Sequence, residues 1–192
     1  MDLRERFPFL LTSPDYATAD LREYPPLRDG FMLVSVYALI SSLAAFVDGI
    51  VSVGSFGLGL LVFFQSMMGV YMSWAFVAGF FHLIAIRWGG SGEFLHVLGG
   101  MGLASAPLIV ISIVAFLTNI AEWTFLSQDP DHILPLTRLV LSLVGSAWGW
   151  PGIVCFYVLK NVELMAPSRA AILATFGFLL LGAYELYMYN PL

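Results

Sequence analysis

The sequence predicts an all-α, polytopic membrane protein: a bundle of five transmembrane helices, N-terminus in the cytoplasm and C-terminus outside. Three observations predict it. Of 192 residues, 59% are hydrophobic and only 11% charged, against roughly half and about a quarter in an average soluble domain. Long charge-free runs alternate with short polar connections. Seven of the eight basic residues fall on alternate connections.

Residues 1–30 read as a cytoplasmic tail, with four Arg and six Asp or Glu before the character changes at Phe31. Ser13, Pro14 and Asp15 have the order of a helix start: a side-chain oxygen at the cap, proline in the first turn, an acid at the positive dipole end. A short helix from about Pro14 to Tyr24 is expected, ended by Pro25 and Pro26. The preceding FPFLL is expected to rest among lipid headgroups.

A five-span transmembrane domain, residues 31–192, follows. Its first span is placed at 31–47, stopping at Asp48. No formal charge occurs from Gly49 to Ile86. One helix over that stretch would be about 57 Å long, nearly twice a hydrocarbon core of about 30 Å. Residues 49–59, with Gly49, Gly54, Gly57 and Gly59, are therefore read as a loop or re-entrant stretch, and the second span as 60–86. RWGGSGE, residues 87–93, is a tight connection in which glycine supplies positive φ. The third span, 95–120, carries Gly99, Gly100, Gly102 and Pro107, which allow close helix approach or a bend. EWTFLSQDPDH is an outer loop. The fourth span, 134–159, is interrupted by GSAWGWPG and contains the GxxxG pair Gly145 and Gly149, read as helix packing. The fifth span, 170–188, ends in the aromatic YELYMY, suited to a membrane interface.

Five spans put Arg4, Arg6, Arg22, Arg28, Arg87, Lys160 and Arg169 on one side and only Arg138 on the other. Basic residues concentrate on cytoplasmic connections, which sets the orientation. Four or six spans would mix the two groups. Acids are less informative: Asp48, Glu122, Asp129, Asp131 and Glu185 fall outside, and the other eight inside.

Composition also excludes functions. The net charge of −5 and scattered basic residues argue against nucleic acid as a partner. Cys155 is the only cysteine, so no intrachain disulfide or cysteine metal cluster is expected. The first residues lack the pattern of a cleaved signal peptide, Asp2 stands where myristoylation needs glycine, and YNPL is no prenylation box. The helices themselves are expected to hold the chain in the bilayer.

Ionisable or polar groups inside spans are functional candidates, because each is costly unless paired or hydrated. Gln65 and His82 qualify in the second span. Glu93 and His96 share a helix face through i, i+3 spacing, as in carboxylate-bridged metal bundles, but the motif occurs once where such bundles need it twice. Glu93 also suits the positive end of a helix dipole. No GxSxG elbow, Cys–His pair or phosphate-binding loop is present, so no catalytic residue, resident metal or cofactor is assigned. Gly89, Gly90 and Gly92 are read as a turn.

LLTSPDYATADLREYP, residues 10–25, and FFHLIAIRWGGSGEFLHVLGGMGLASAPLIV, residues 80–110, resemble the Yip family of Ypt/Rab-interacting membrane proteins, particularly its compact prokaryotic type. The first stretch is similar to the family's pre-membrane pattern; the second is similar to its second span, Gly-Gly turn and proline-containing third span. The resemblance implies five spans, a cytoplasmic N-terminus, residence in the cell membrane of a prokaryote and no enzymatic activity. The long N-terminal region and DLYGP-like motif of eukaryotic relatives are missing, so GTPase binding is not carried over.

The leading expectation is thus a non-enzymatic, Yip-like integral membrane protein that organises membrane or partner proteins, in contact with the lipid bilayer and with protein partners or copies of itself. A small channel or transporter subunit is the alternative, motivated by the glycine and proline breaks. A metal-dependent intramembrane enzyme using His82, Glu93 and His96 is the third reading.

Overall fold

The computed structural model describes residues 1–125 and 149–189. Their regular elements are all helical: α1 (Leu3–Thr12), α2 (Pro14–Thr18), α3 (Leu27–Val53), α4 (Phe56–Arg87), α5 (Phe94–Leu103), α6 (Ser105–Phe125), α7 (Gly149–Asn161) and α8 (Pro167–Tyr189). Three stretches among the described residues are long and apolar enough to cross a membrane: Leu27–Val51, Phe56–Arg87 and Phe94–Val114. Gly145 and most of the 134–159 stretch lie outside the described residues.

Residues 49–59 depart from the loop expected of them. Helix α3 runs on to Val53, only Gly54 (φ 68°) and Ser55 turn the chain, and α4 starts at Phe56. Two of the four glycines here, Gly49 and Gly59, serve contact between two antiparallel helices rather than loop flexibility. A Cβ on Gly59 would lie 2.7 Å from Ile50 Cγ1, and one on Gly49 would lie 3.3 Å from Gly59 Cα. The expected limit on helix length assumed a helix that stops at the hydrocarbon edge. Instead α3 and α4, of 27 and 32 residues, reach about 40 and 48 Å, exceeding a core of about 30 Å, an excess that tilt or projection absorbs.

The stretch expected as the third span is one of those three membrane-crossing stretches, Phe94–Val114, and it is built of two helices. The break falls at Ala104, between α5 and α6, three residues ahead of the proline. Pro107 is buried in the first turn of α6, where a missing N–H costs no helical bond.

The N-terminal segment also differs in detail. Helix α2 ends at Thr18, and Ser13 makes no side-chain capping bond; its backbone N–H instead closes α1 onto Phe9 O. Pro14 and Asp15 do occupy the first turn. FPFLL is part of α1, and Leu10 is fully buried with Ala17 and Leu21 against the bundle.

Among the described residues, most buried side chains gather at one end of the bundle. Helix α4 joins the core through its C-terminal half, with Trp74 and Val77 packed against it and Ala78, Phe81 and Ala85 buried in it, beside Leu33, Val97, Met101, Leu103, Val154, Val158, Leu159 and Leu173. Earlier in α4, Phe64, Met68, Met72 and Phe76 are each at least 60% exposed, a surface that suits lipid rather than water. Trp74 turns inward and donates to Leu98 O at 3.0 Å.

Helices α3 and α5 cross backbone against backbone. A Cβ on Gly102 would stand 2.6 Å from Gly30 Cα, one on Gly99 2.7 Å from Leu27 N, and one on Gly30 would overlap Gly99 O. Small residues permit such approach. This crossing sets α5, and with it the connection before it, beside α7.

Candidate functional site: a buried carboxylate at the end of the bundle

The core-rich end carries three chain segments: the N-terminal helices, the 88–93 connection between α4 and α5, and the 162–166 connection between α7 and α8. Glu163 joins the last two. Helix α7 closes with Val162 N–H on Val158 O at 2.8 Å and Met165 N–H on Leu159 O at 3.4 Å. Leu164 lies between them in the left-handed region, φ 52°, which a non-glycine residue adopts at a cost. This turn places the Glu163 side chain inside, fully buried.

Its carboxylate meets donors on both oxygens. Oε1 is 2.6 Å from His82 Nδ1. Oε2 accepts the Gly92 N–H at 2.9 Å, and the Glu163 carbonyl accepts the Ser91 N–H at 3.0 Å. A buried carboxylate without such partners would be costly; with them it ties two connections together. The glycines of the connection follow from it. A Cβ on Gly90 would lie 2.7 Å from Glu163 Oε2, and one on Gly92 2.9 Å from Val162 O. Gly89 supplies the turn, with φ 90°. Arg169, at the start of α8, donates to Trp88 O.

The structure separates the residues singled out from the sequence. His82 is spent on Glu163. Glu93 stands at the N-cap position of α5 without a side-chain capping bond, 81% exposed, and its Oε2 is 3.5 Å from His96 Nδ1, an atom that is buried and makes no hydrogen bond. Gln65 is exposed on α4, seventeen residues from His82. Gly100 lies against Val158, where a Cβ would come within 2.7 Å of Cγ1. Gly149 begins α7 with no neighbour to a Cβ within 4 Å. It lines an open apolar groove of about 340 Å³ between α7 and α8 with Ile153, Phe156, Ala174 and Phe178. Among the described residues no group of three or more His, Cys, Asp or Glu is arranged to hold a metal.

Sequence reasoning missed Glu163, counting it as an ordinary charge in a polar connection. Its signal was a single acid enclosed by Val162, Leu164 and Met165. It also missed Arg6. That side chain is 2% exposed and donates to Ala17 O at 2.7 Å and to both oxygens of Asp20, at 2.9 and 3.1 Å. The Met1 ammonium donates to Asp20 Oδ2 at 3.0 Å. Asp15 accepts from Lys160 at 3.0 Å and Asn161 at 3.1 Å, and Trp150 donates to Leu10 O at 3.0 Å. These bonds fold the charged segment along α7.

Both acids titrate below the ordinary carboxylate range. The Asn161 hydrogen bond, then that of Lys160, lowers Asp15. Burial opposes ionisation of Asp20, but the terminal ammonium and the Arg6 guanidinium outweigh it. A depressed carboxylate stabilises docking above its unfolded value, and the contribution is lost as pH falls through the folded value. Hydrogen exchange of residues 14–21 is therefore expected to stay slow from neutrality down to the ordinary carboxylate range and to accelerate below it. At neutral pH, Asp20→Asn should loosen the segment more than Asp15→Asn. The Asp15 side chain is 54% exposed against 27% for Asp20, and exposed pairs contribute only about 0–1 kcal/mol.

The model of the Yip1 domain matches residues 9–186, from α1 into α8. No curated protein and no solved structure matches the chain.

Proposed function

Since the chain belongs to the Yip1-domain family, an integral membrane protein family, we propose that it is a non-enzymatic, five-span member that organises membrane or partner proteins around it. In this reading the N-terminal helices and the 88–93 and 162–166 connections face the cytoplasm of a prokaryotic cell, with the C-terminus outside. The segregation of Arg138 from the other seven basic residues supports that orientation.

One observation carries the functional reading: the buried Glu163 carboxylate and the His82 imidazole at the core-rich end are spent on each other and on the Gly92 amide. The imidazole of His82, a natural candidate for a conducted ion or proton, is bonded to Glu163, and Glu163 is closed over by Gly90 and Gly92. Transport sites instead place polar groups along a hydrated path. Helices α3 and α4 meanwhile offer an extended apolar surface to lipid and neighbours.

Mild solubilisation in native lipid, followed by cross-linking and mass spectrometry, is expected to recover a stable protein partner, a homo-oligomer or a selected lipid. Recovery of none of the three would reject the organising role. Reconstituted liposomes are expected to show no ion flux; a flux abolished by His82→Ala or Gln65→Ala would establish a channel or carrier instead.

A further inference from the structure

We propose that Arg87 and Arg169 form a binding site for one anionic phospholipid, its phosphate held by the two guanidinium groups and an acyl chain lying along α4 and α8 beneath them. Each arginine is isolated in the sequence. From Gly49 to Gly92, Arg87 is the only Asp, Glu, Lys or Arg, and from Leu164 to Tyr184 Arg169 is the only one. The fold brings these two stretches side by side. Arg169 Nη1 donates to the carbonyl of Trp88, the residue after Arg87, and further along the same two helices Gly177 packs against the Phe81 ring. Helices α4 and α8 are therefore antiparallel neighbours, paired from Trp88 and Arg169 at the charged end to Phe81 and Gly177 within the bundle.

Neither guanidinium is neutralised. Both arginines are exposed, and among the described residues neither makes an ion pair. The acids nearest them along the chain are placed elsewhere: Glu163 is bonded to His82 and Gly92, and Glu93 stands beside His96. The Trp88 bond fixes the Arg169 side chain while leaving most of its N–H donors free. Two planar forks with two charges suit a phosphate, which accepts paired N–H bonds. The surface beneath them suits the rest of a lipid. Leu83 and Ile86 on α4 are 66% and 50% exposed, and Ile172 and Phe176 on α8 are 59% and 51% exposed. This apolar wall starts within a turn of each arginine. Trp88, 38% exposed, lies at the junction, as indoles do at headgroup level, and basic pockets between membrane helices hold anionic headgroups. A free anion would use the arginines alone; the wall and the indole favour a lipid. The site deepens the organising role by naming a lipid that the bundle selects. It requires only that the chain lies in a bilayer, so recovery of a protein partner or a homo-oligomer would stand with or without it.

Native mass spectrometry and thermal melts of the detergent-solubilised full chain, with phosphatidylglycerol or phosphatidylcholine added, test the site. The parent should retain a single phosphatidylglycerol per chain and bind it more tightly than phosphatidylcholine. Arg87→Gln should weaken phosphatidylglycerol binding by about fivefold and the double variant with Arg169→Gln by about twenty-five-fold, the scale of one basic residue apiece at an anionic surface. Arg4→Gln combined with Arg22→Gln, an equal loss of charge at exposed positions elsewhere, should leave binding unchanged. Glycerol phosphate, which carries the phosphate without acyl chains, should not shift the melt. Equal affinity of the parent for the two lipids, an equal loss in the Arg4 and Arg22 control, or a melt shifted as far by glycerol phosphate as by the lipid would overturn the proposal. Arg169→Gln also removes the Trp88 bond. If the double variant does not accumulate, Arg87→Gln decides alone, and parent-like affinity in that variant would reject the site.

Discussion

Gly102→Leu is expected to abolish the folded bundle. Position 102 offers no room for even a Cβ, which would stand 2.6 Å from Gly30 Cα and 2.7 Å from Gly30 C. The obstacle is main chain, so no rotamer change relieves it, and α3 and α5 must separate. Overpacking a tight core costs about 1–3 kcal/mol, occasionally more. A branched side chain against backbone belongs at the upper end, because separation also uncovers Leu33, Val97 and Met101, which pack around the crossing. Fluorescence-detected size-exclusion chromatography should show loss of the monodisperse peak. Gly102→Ala should retain a folded fraction with a lowered melting temperature. No side-chain truncation elsewhere on α3 should restore either variant, since the clashing atoms are those of Gly30 itself. A leucine variant that melts like the parent would show that the two helices do not touch.

Gly177→Ala is expected to destabilise comparably, by about 1–3 kcal/mol, yet to be rescued. A Cβ at this buried position on α8 would overlap the Phe81 ring of α4, at Cζ and Cε1, and Phe81 is itself 3% exposed. The obstacle is a side chain, and leucine lacks those ring atoms. Phe81→Leu alone should destabilise by leaving a gap. The double variant should be more stable than the sum of the two single losses, by a coupling of about 0.5–3 kcal/mol. Thermal melts of the four proteins in one detergent measure it. Additive losses would mean that α8 does not rest on Phe81. The two glycines are thus alike in sequence and unlike in kind, one fixed by backbone and the other by an aromatic ring.

The family was legible in the sequence because two stretches, residues 10–25 and 80–110, hold its pattern, and the family match extends over residues 9–186. The helical, membrane-embedded class was legible because hydropathy integrates over some twenty residues and tolerates local error. Local geometry was less so. Gly49, Gly54, Gly57 and Gly59 read as a loop, but Gly54 alone takes left-handed φ while Gly59 fills a contact with Ile50 and Phe46. Spacing cannot tell a glycine needed for φ from one needed for space.

The candidate site shows the same limit more sharply. His82 stood out because a histidine inside an apolar run is conspicuous. Its partner did not, because Glu163 is eighty-one residues away and sits beside Lys160 and Arg169, where any acid looks like solvent charge. Glu93 and His96 had the more suggestive spacing, yet the Glu93 side chain is largely exposed and the buried Nδ1 of His96 makes no hydrogen bond.

By itself the sequence determined that the chain lives in a membrane, that it is helical and which family it belongs to. Each of these follows from sums over many residues or from a contiguous pattern. Only the tertiary structure decided which charges are interior. Burial of a single side chain depends on what the crossing helices bring opposite it: Gly30 against Gly102 seats α5, α5 sets the Gly90–Gly92 turn over Glu163, and that turn converts an unremarkable acid into the tie between two connections.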